Sequence, residues 1–434
     1  MSDIIVIIGR PNVGKSTFFN RMINKREAIV DSTSGVTRDR HYSKCEWNGK
    51  HFTLIDTGGY LQGSDDVFQK EIDKQVKIAI NEADAIIFIV DVNDGITAMD
   101  LNILKSVRKS KKTIFLVVNK VDNSTKLNIV AEFYKLGFDP IYPLSSINGS
   151  GTGELLDDIV LSFKDDNIED EIDIPKFAVV GRPNAGKSSF INSLIGEERS
   201  IVTEKAGTTR DSIYTRYNLF GFDFNLVDTA GIRRKSKIKE NIEFYSVMRS
   251  IRSIEYCDVS LLILDATRSF DGQVQNIFWL SHRNNKGIVI LVNKWDLIDK
   301  KKSSTKEFEK KIKKLILPFE DVPIIFISSI SKQRIYKSIE KAIEVFKNRK
   351  NRIPTKELNN FLLPIIEKYP PPSSKGKFIK IKFCSQLPTF HPQFVFFCNL
   401  PQYLKDPYKR FLENKLRQQY NFTGAPIQIF FRKK

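Results

Sequence analysis

One nine-residue stretch occurs twice in this chain, and it constrains the fold more than any other feature. GRPNVGKST occupies residues 9–17 and GRPNAGKSS occupies residues 181–189. Both match GxxxxGK[ST], in which glycines let a loop wrap phosphates with its backbone N–H groups. Each copy follows a short apolar run, as expected of a loop that joins a buried strand to a helix. The sequence therefore predicts two phosphate-binding loops.

Three further motifs repeat in the same order. GVTRD at 35–39 returns as GTTRD at 207–211, DTGG at 56–59 as DTAG at 228–231, and NKVD at 119–122 as NKWD at 293–296. Between them, short runs rich in Ile, Val and Phe alternate with helical stretches, which is typical of parallel sheets buried on both faces. Most of the motifs follow the ends of these runs, where open α/β sheets bind ligands. We predict a duplicated α/β domain.

Composition sets the expected domain boundaries. The acid-rich KDDNIEDEID at 164–173 predicts a flexible linker between the copies. The repeat ends after NRKNRIPT at 348–355, where a different pattern of helices and strands begins. The predicted domains are residues 1–163, a linker at 164–174, residues 175–350, and a C-terminal domain at 351–434.

Each copy also contains residues suited to phosphate and Mg²⁺. The lysine of the loop reaches the β- and γ-phosphates, the next serine offers its hydroxyl to Mg²⁺, and the aspartate of DTGG or DTAG supplies a carboxylate. The threonine of TRD and the last glycine of DTGG or DTAG suit a switch that closes only when the γ-phosphate is present. The predicted phosphate-binding residues are Gly9, Asn12, Gly14, Lys15, Gly59, Gly181, Asn184, Gly186, Lys187 and Gly231, and the predicted Mg²⁺ residues are Ser16, Thr37, Asp56, Ser188, Thr209 and Asp228.

The Asn-Lys-x-Asp motif selects the base. A carboxylate accepts two hydrogen bonds from the N1–H and the exocyclic amine of guanine, which adenine cannot offer together, so Asp122 and Asp296 predict GTP and GDP as ligands. We expect the asparagine to brace the loop and the lysine to cover the ring. The predicted base-binding residues of these two motifs are Asn119, Lys120, Asp122, Asn293, Lys294 and Asp296.

The residues after DTGG and DTAG bear on the rate of hydrolysis. Tyr60 and Ile232 stand where many small GTPases place a glutamine that orients the attacking water. Neither side chain suits that task. We therefore expect GTP hydrolysis to be slow unless a cation or a partner assists it.

Together these motifs resemble the Der, or EngA, family of bacterial tandem GTPases. The resemblance covers essentially the whole chain, through the paired GRPNxGKS, TRD, DTGGY, DTAGIRRK and NKWD and the later ISSISKQRI, NRIPTKELN, YKRFLEN and GAPIQIFFR. It implies two P-loop GTPase domains, with mostly parallel sheets flanked by helices, followed by a small α/β KH-like domain. It also implies GTP hydrolysis coupled to maturation of the large (50S) ribosomal subunit.

The resemblance adds a cation and a second base-contacting turn. In the family, the asparagine of GRPN is associated with a K⁺ ion that assists hydrolysis, and this role would fall to Asn12 and Asn184. The guanine-contacting Ser-Ala turn of the family is Ser-Ser here, at Ser145–Ser146 and Ser328–Ser329. Its backbone contact should survive, because serine adds only a hydroxyl. Ser34 stands where a proline often precedes GVTRD, which could loosen the first switch.

Charge predicts an anionic partner. The formal net charge is +18, and residues 352–434 contribute 15 Lys and Arg against 4 Asp and Glu. This concentration favours nucleic acid as the partner. The C-terminal segment has no GxxG loop with which KH domains grip single strands, so it either contacts the RNA backbone by charge or docks a protein. The candidate RNA or ribosome contacts are Arg233, Arg234, Lys235, Lys380, Lys382, Lys409 and Arg410.

Other features exclude several classes of protein. The four cysteines are far apart and predict neither a disulfide framework nor a metal site, and no apolar stretch approaches the ~20 residues of a membrane span. We expect a cytoplasmic monomer whose partners are guanine nucleotides, rRNA and the large ribosomal subunit. Two alternatives remain open: a tRNA-modification-type GTPase, which would carry one GTPase domain within a helical region, and a nucleotide-bound scaffold in which only one site hydrolyses GTP.

Overall fold

The first repeat forms a six-stranded sheet. The computed structural model describes residues 3–27, 42–57, 79–80, 83–163, 174–195, 214–228, 242–268, 270–298, 304–373, 376 and 378–433. The sheet order is β2-β3-β1-β4-β5-β6, and every neighbouring pair is parallel except β2 and β3. Its strands are β1 (Asp3–Ile8), β2 (Tyr42–Trp47), β3 (Lys50–Asp56), β4 (Ala85–Asp91), β5 (Thr113–Asn119) and β6 (Ile141–Pro143).

Helices flank this sheet and bury its faces. All residues of β1 and β4 are buried, which explains why their sequences are continuous apolar runs. A capping box at Thr97 and Asp100 fixes the start of α2. The helices are α1 (Lys15–Glu27), α2 (Ala98–Arg108), the short α3 (Leu127–Val130) and α4 (Thr152–Leu161).

The second repeat has the same topology. Its sheet order is β8-β9-β7-β10-β11-β12, and β8 and β9 form its antiparallel pair. Its strands are β7 (Lys176–Val180), β8 (Tyr214–Leu219), β9 (Phe222–Val227), β10 (Val259–Asp265), β11 (Gly287–Asn293) and β12 (Ile324–Phe326). Its helices are α5 (Lys187–Ile195), α6 (Ile242–Glu255), α7 (Gly272–Arg283), α8 (Thr305–Leu315) and α9 (Ile335–Lys350).

The C-terminal domain is a three-stranded sheet with two helices on one face. The strands are β13 (Ile381–Gln386), β14 (Gln393–Cys398) and β15 (Gln428–Lys433). β14 pairs antiparallel with β13 and parallel with β15. The helices α10 (Thr355–Lys368) and α11 (Asp406–Gln419) supply the apolar side chains of the core, which confirms the predicted small α/β domain.

The described chain divides into two compact units. Met1–Asp170 and Glu240–Glu255 form one, so α6 belongs to the unit of the first sheet, where Thr53 donates a hydrogen bond to the Glu255 carboxylate. Glu171–Lys239 and Tyr256–Lys434 form the other, which holds the second sheet and the C-terminal domain. Within the part of the chain that the structure describes, no helix is long and apolar enough to cross a membrane.

Candidate nucleotide-binding sites

The loop after β1 approaches its neighbours so closely that glycine is required at two positions. A Cβ on Gly9 would lie 2.4 Å from the Ile89 carbonyl oxygen, and one on Gly14 would lie 2.3 Å from Asn119 Nδ2. Gly14 also has a φ of +95°, which L side chains rarely adopt. Gly9 and Gly14 therefore allow the loop to pack closely against the ends of β4 and β5.

The loop after β7 repeats this geometry. A Cβ on Gly181 would lie 2.4 Å from the Ile263 carbonyl oxygen, and one on Gly186 would lie 2.1 Å from Asn293 Nδ2. Asn12 and Asn184 take the left-handed conformation in their loops, with φ of 66° and 65°. The two copies of the motif thus fold to the same backbone shape, and both asparagines are exposed.

The lysine of each loop is hydrogen-bonded to backbone carbonyls. Lys15 Nζ donates to the Arg10 carbonyl at 2.8 Å, and Lys187 Nζ donates to the carbonyls of Gly181 at 2.6 Å and Arg182 at 2.5 Å. Burial lowers the pKa of Lys15 to about 8, against the opposing effect of the Asp56 carboxylate. A desolvated ammonium group such as that of Lys15 attracts phosphate strongly.

Two of the three predicted Mg²⁺ residues of the first repeat lie in contact. Ser16 Oγ donates to Asp56 Oδ2 at 2.6 Å, and Asp56 is fully buried at the end of β3. Hydroxyl and carboxylate oxygens are the hard ligands that Mg²⁺ accepts, so this pair fits the ion. In the second repeat, Ser188 is exposed and Asp228 is half-buried with a φ of 58°.

The asparagine of each Asn-Lys-x-Asp motif joins three loops. Asn119 Nδ2 donates to the Val13 carbonyl at 2.7 Å, and its Oδ1 accepts from the N–H and the hydroxyl of Ser146 at 3.0 and 2.8 Å. Asn293 makes the matching bonds to Ala185 and Ser329 at 2.9 to 3.0 Å. The second serine of each Ser-Ser turn therefore adds a hydrogen bond that an alanine could not make.

The first serine of the turn differs between the copies. Ser145 Oγ donates to Asp122 Oδ1 at 2.5 Å and so orients the carboxylate predicted to bind guanine. Ser328 Oγ accepts from the Ser331 N–H at 3.3 Å. Asp296 is exposed in a 3₁₀ turn, Trp295–Leu297.

Two aspartates at strand ends, which the motifs do not predict, also belong to these sites. Lys120 Nζ lies 2.5 Å from Asp91 Oδ2, and Lys294 Nζ lies 2.6 Å from Asp265 Oδ2. Burial raises the pKa of Asp265, but hydrogen bonds from Lys294 and Thr267 outweigh it and hold that pKa below its usual value. These aspartates fix the lysine expected to cover the guanine ring.

The repeated sequence contains a pattern that marks these two aspartates. Asp91 and Asp265 end their strands, and each pairs in the sheet with the asparagine of its motif, Asn119 or Asn293. Both pairs are separated by the same number of residues, so alignment of the repeat would have found them.

Several predicted residues lie outside the described residues. They are Ser34, Thr37, Gly59, Tyr60, Thr209, Gly231, Ile232, Arg233, Arg234 and Lys235. Of the C-terminal candidates, Lys380, Lys382 and Arg410 are exposed and Lys409 is half-buried on α11.

The TGAP loop of the C-terminal domain (residues 423–426) packs on the second repeat. The Gly424 N–H donates to the Asp321 carbonyl at 2.8 Å, and the Gly424 carbonyl accepts from the Ile288 N–H at 2.8 Å. Arg417 pairs with Asp321 at 3.1 Å and lies over the Phe319 ring at 4.8 Å. The loop that does not match GxxG is therefore a docking element within the second unit.

Two phosphate-binding loops, each joined through an asparagine to a base-selecting loop, define a P-loop GTPase with two nucleotide sites. The family profile described as "50S ribosome-binding GTPase" matches residues 4–120 and 176–294, and "KH-domain-like of EngA bacterial GTPase enzymes, C-terminal" matches residues 352–432. The chain is similar to "GTPase Der" of Christiangramia forsetii, with 66% identity over 434 residues and 100% of both chains. It is 60% identical to "GTPase Der" of Flavobacterium johnsoniae over 435 residues, again covering 100% of both chains.

The chain belongs to the GTPase Der (EngA) family. It binds guanine nucleotide and hydrolyses GTP, as the repeated motifs predicted.

Proposed function

We propose that this GTPase acts in maturation of the large ribosomal subunit, binding the subunit and its rRNA when its domains hold GTP. The observation that carries the proposal is the packing of the basic C-terminal domain on the second GTPase domain within one compact unit. A nucleotide-driven switch in that domain would act directly on a positively charged module. The matching family described as ribosome-binding supports the same partner.

In each domain the lysine of the loop, Lys15 or Lys187, would bind the terminal phosphates. Asn119 and Asn293 hold the phosphate loop and the base loop at a fixed separation. Asp122 and Asp296 would select guanine, with Ser145 orienting Asp122. Exclusion of adenine follows because its edge would leave the carboxylate without a donor.

Mg²⁺ would be held by Ser16 and Asp56, with Thr37, and by Ser188 and Asp228, with Thr209. The ion would neutralise charge on the β- and γ-phosphates. K⁺ would be held at Asn12 and Asn184, which are exposed and take the left-handed conformation in each loop. That cation would supply positive charge where a glutamine or an arginine acts in other GTPases.

Co-sedimentation with purified ribosomal subunits tests the proposal. We expect the chain to pellet with the large subunit in the presence of a non-hydrolysable GTP analogue and to remain in the supernatant with GDP. Pelleting that is equal in both nucleotides, or that favours the small subunit, would contradict it.

A further inference from the structure

We propose that the C-terminal sheet, on the face opposite its two helices, binds single-stranded RNA by stacking bases on a cross-strand row of planar side chains. The row, called here the stacking row, consists of Phe383, Phe397 and Arg432. This inference rests on the proposed RNA partner and adds the surface that contacts it.

Strand register places the three side chains side by side. Phe383 on β13 pairs with Phe397 on β14, and Phe397 pairs with Arg432 on β15. The two phenylalanine rings have centroids 5.9 Å apart at 35°. Because neighbouring strands lie about 4.8 Å apart, the row presents two rings and one guanidinium plane across the whole sheet.

The row faces away from the helices. Successive side chains of a strand point to opposite faces. On β14, Phe394, Phe396 and Cys398 are fully buried in the core with α10 and α11, whereas Phe397 is only half-buried and Phe383 is 38% exposed. Arg432 is exposed. An aromatic row on the open face of a sheet is the arrangement on which several RNA-binding domains stack bases.

The charge around the row favours an RNA strand over an apolar protein surface. Residues 368–405 and 414–434, which include all three strands, contain no aspartate or glutamate. Lys382, which is exposed, precedes Phe383 at a shift in the register of β13, and Lys433 follows Arg432. Aromatic rings flanked by cations match bases flanked by phosphates.

Docking on the second GTPase domain involves the end of β15 opposite the stacking row. The docking loop at 423–426 precedes β15, whereas Arg432 lies near the other end of that strand. The C-terminal domain lacks the GxxG loop with which KH domains hold single-stranded RNA. Base stacking on the row would hold the RNA strand without that loop.

Fluorescence anisotropy with the full-length protein tests the proposal. The probes are a labelled oligoadenylate of about twelve nucleotides and an abasic ribose-phosphate strand of equal length. We expect Phe383→Ala and Arg432→Gln each to weaken oligoadenylate binding about fivefold to tenfold, while Phe383→Trp retains it. Phe390→Ala is the matched control, because Phe390 is 79% exposed in the same domain but lies outside the row.

Thermal unfolding and GTP turnover establish that each variant is folded. Wild-type affinity in Phe383→Ala, or equal wild-type affinity for the oligoadenylate and the abasic strand, would overturn the stacking row. Co-sedimentation of the wild type separates the two proposals. If the wild type fails to pellet with large subunits while oligoadenylate binding still depends on Phe383, the ribosomal function fails and the stacking row stands.

Discussion

At the scale of single residues, the lysines of the base-selecting loops depend on aspartates from a neighbouring strand. Asp91 and Asp265 stand beside the asparagines of the motifs in the sheet and hold Lys120 and Lys294 by short ion pairs. Lys120 and Lys294 adopt the left-handed conformation, which is uncommon outside glycine. The aspartates therefore select one position of a side chain that would otherwise sample many.

Replacing Asp91 with asparagine should weaken guanine-nucleotide binding by the first domain about fivefold to twentyfold, because a charged hydrogen bond that orders Lys120 is lost. Asp265→Asn should do the same in the second domain. Titration with a fluorescent GDP analogue measures both. Glu132→Gln removes an exposed carboxylate of the first domain and serves as the control; an effect as large as that of Asp91→Asn would show that charge alone is responsible.

At the scale of elements, the docking loop has a backbone geometry that only glycine tolerates. Gly424 has a φ of +74°, and a Cβ there would lie 2.6 Å from Val345 Cγ2 and 2.9 Å from the Ile288 carbonyl oxygen. Gly221 has a φ of +77° with no atom within 4 Å of its Cβ position. Substituting alanine at Gly221 therefore tests the free-energy cost of the left-handed conformation alone, whereas the same substitution at Gly424 adds the cost of the steric clash.

Gly424→Ala should destabilise the protein by about 2 to 4 kcal/mol, because the alanine would be forced into the left-handed conformation and its methyl group would also overpack the docking contact. Gly221→Ala should cost only about 1 to 2 kcal/mol, the cost of the conformation. Chemical denaturation of both variants measures the difference. Equal losses would mean that the loop yields to the methyl group and is not tightly docked.

His282 makes the stability of the second unit depend on pH. It contacts the Phe319 ring, over which Arg417 of the C-terminal domain also lies. Burial against Phe319 and Trp279, with a smaller contribution from the charges of Arg417 and Arg283, lowers the pKa of His282 to about 3. The unfolded chain takes up this proton below about pH 6.5, while the folded chain does not, so stability falls as the pH drops from 6.5 toward 3.

At pH 5 this histidine should cost about 1 kcal/mol relative to pH 7, less than the full linkage value because its side chain keeps some exposure to solvent. His282→Asn should flatten the dependence. Melting temperatures of the two proteins between pH 5 and 7 measure it, and parallel curves would contradict the assignment.

At the scale of the whole molecule, the sequence predicted the two GTPase domains and the small C-terminal domain because their motifs and strand runs are local. The aspartates that hold Lys120 and Lys294 were missed because an aspartate at a strand end is unremarkable until strand pairing sets it beside the motif. Docking of the TGAP loop was also missed, since it depends on backbone bonds between Gly424 and residues such as Ile288, far away in the sequence. Local patterns carry no information on such pairings.

The central claim is that both copies of the repeat are working nucleotide sites. Equilibrium dialysis with labelled GTP, combined with turnover, tests it in wild type, Lys15→Ala and Lys187→Ala. The account predicts two nucleotides bound per wild-type chain, one per chain in each single variant, and reduced turnover in both. One nucleotide per wild-type chain, or full turnover in either variant, would contradict it.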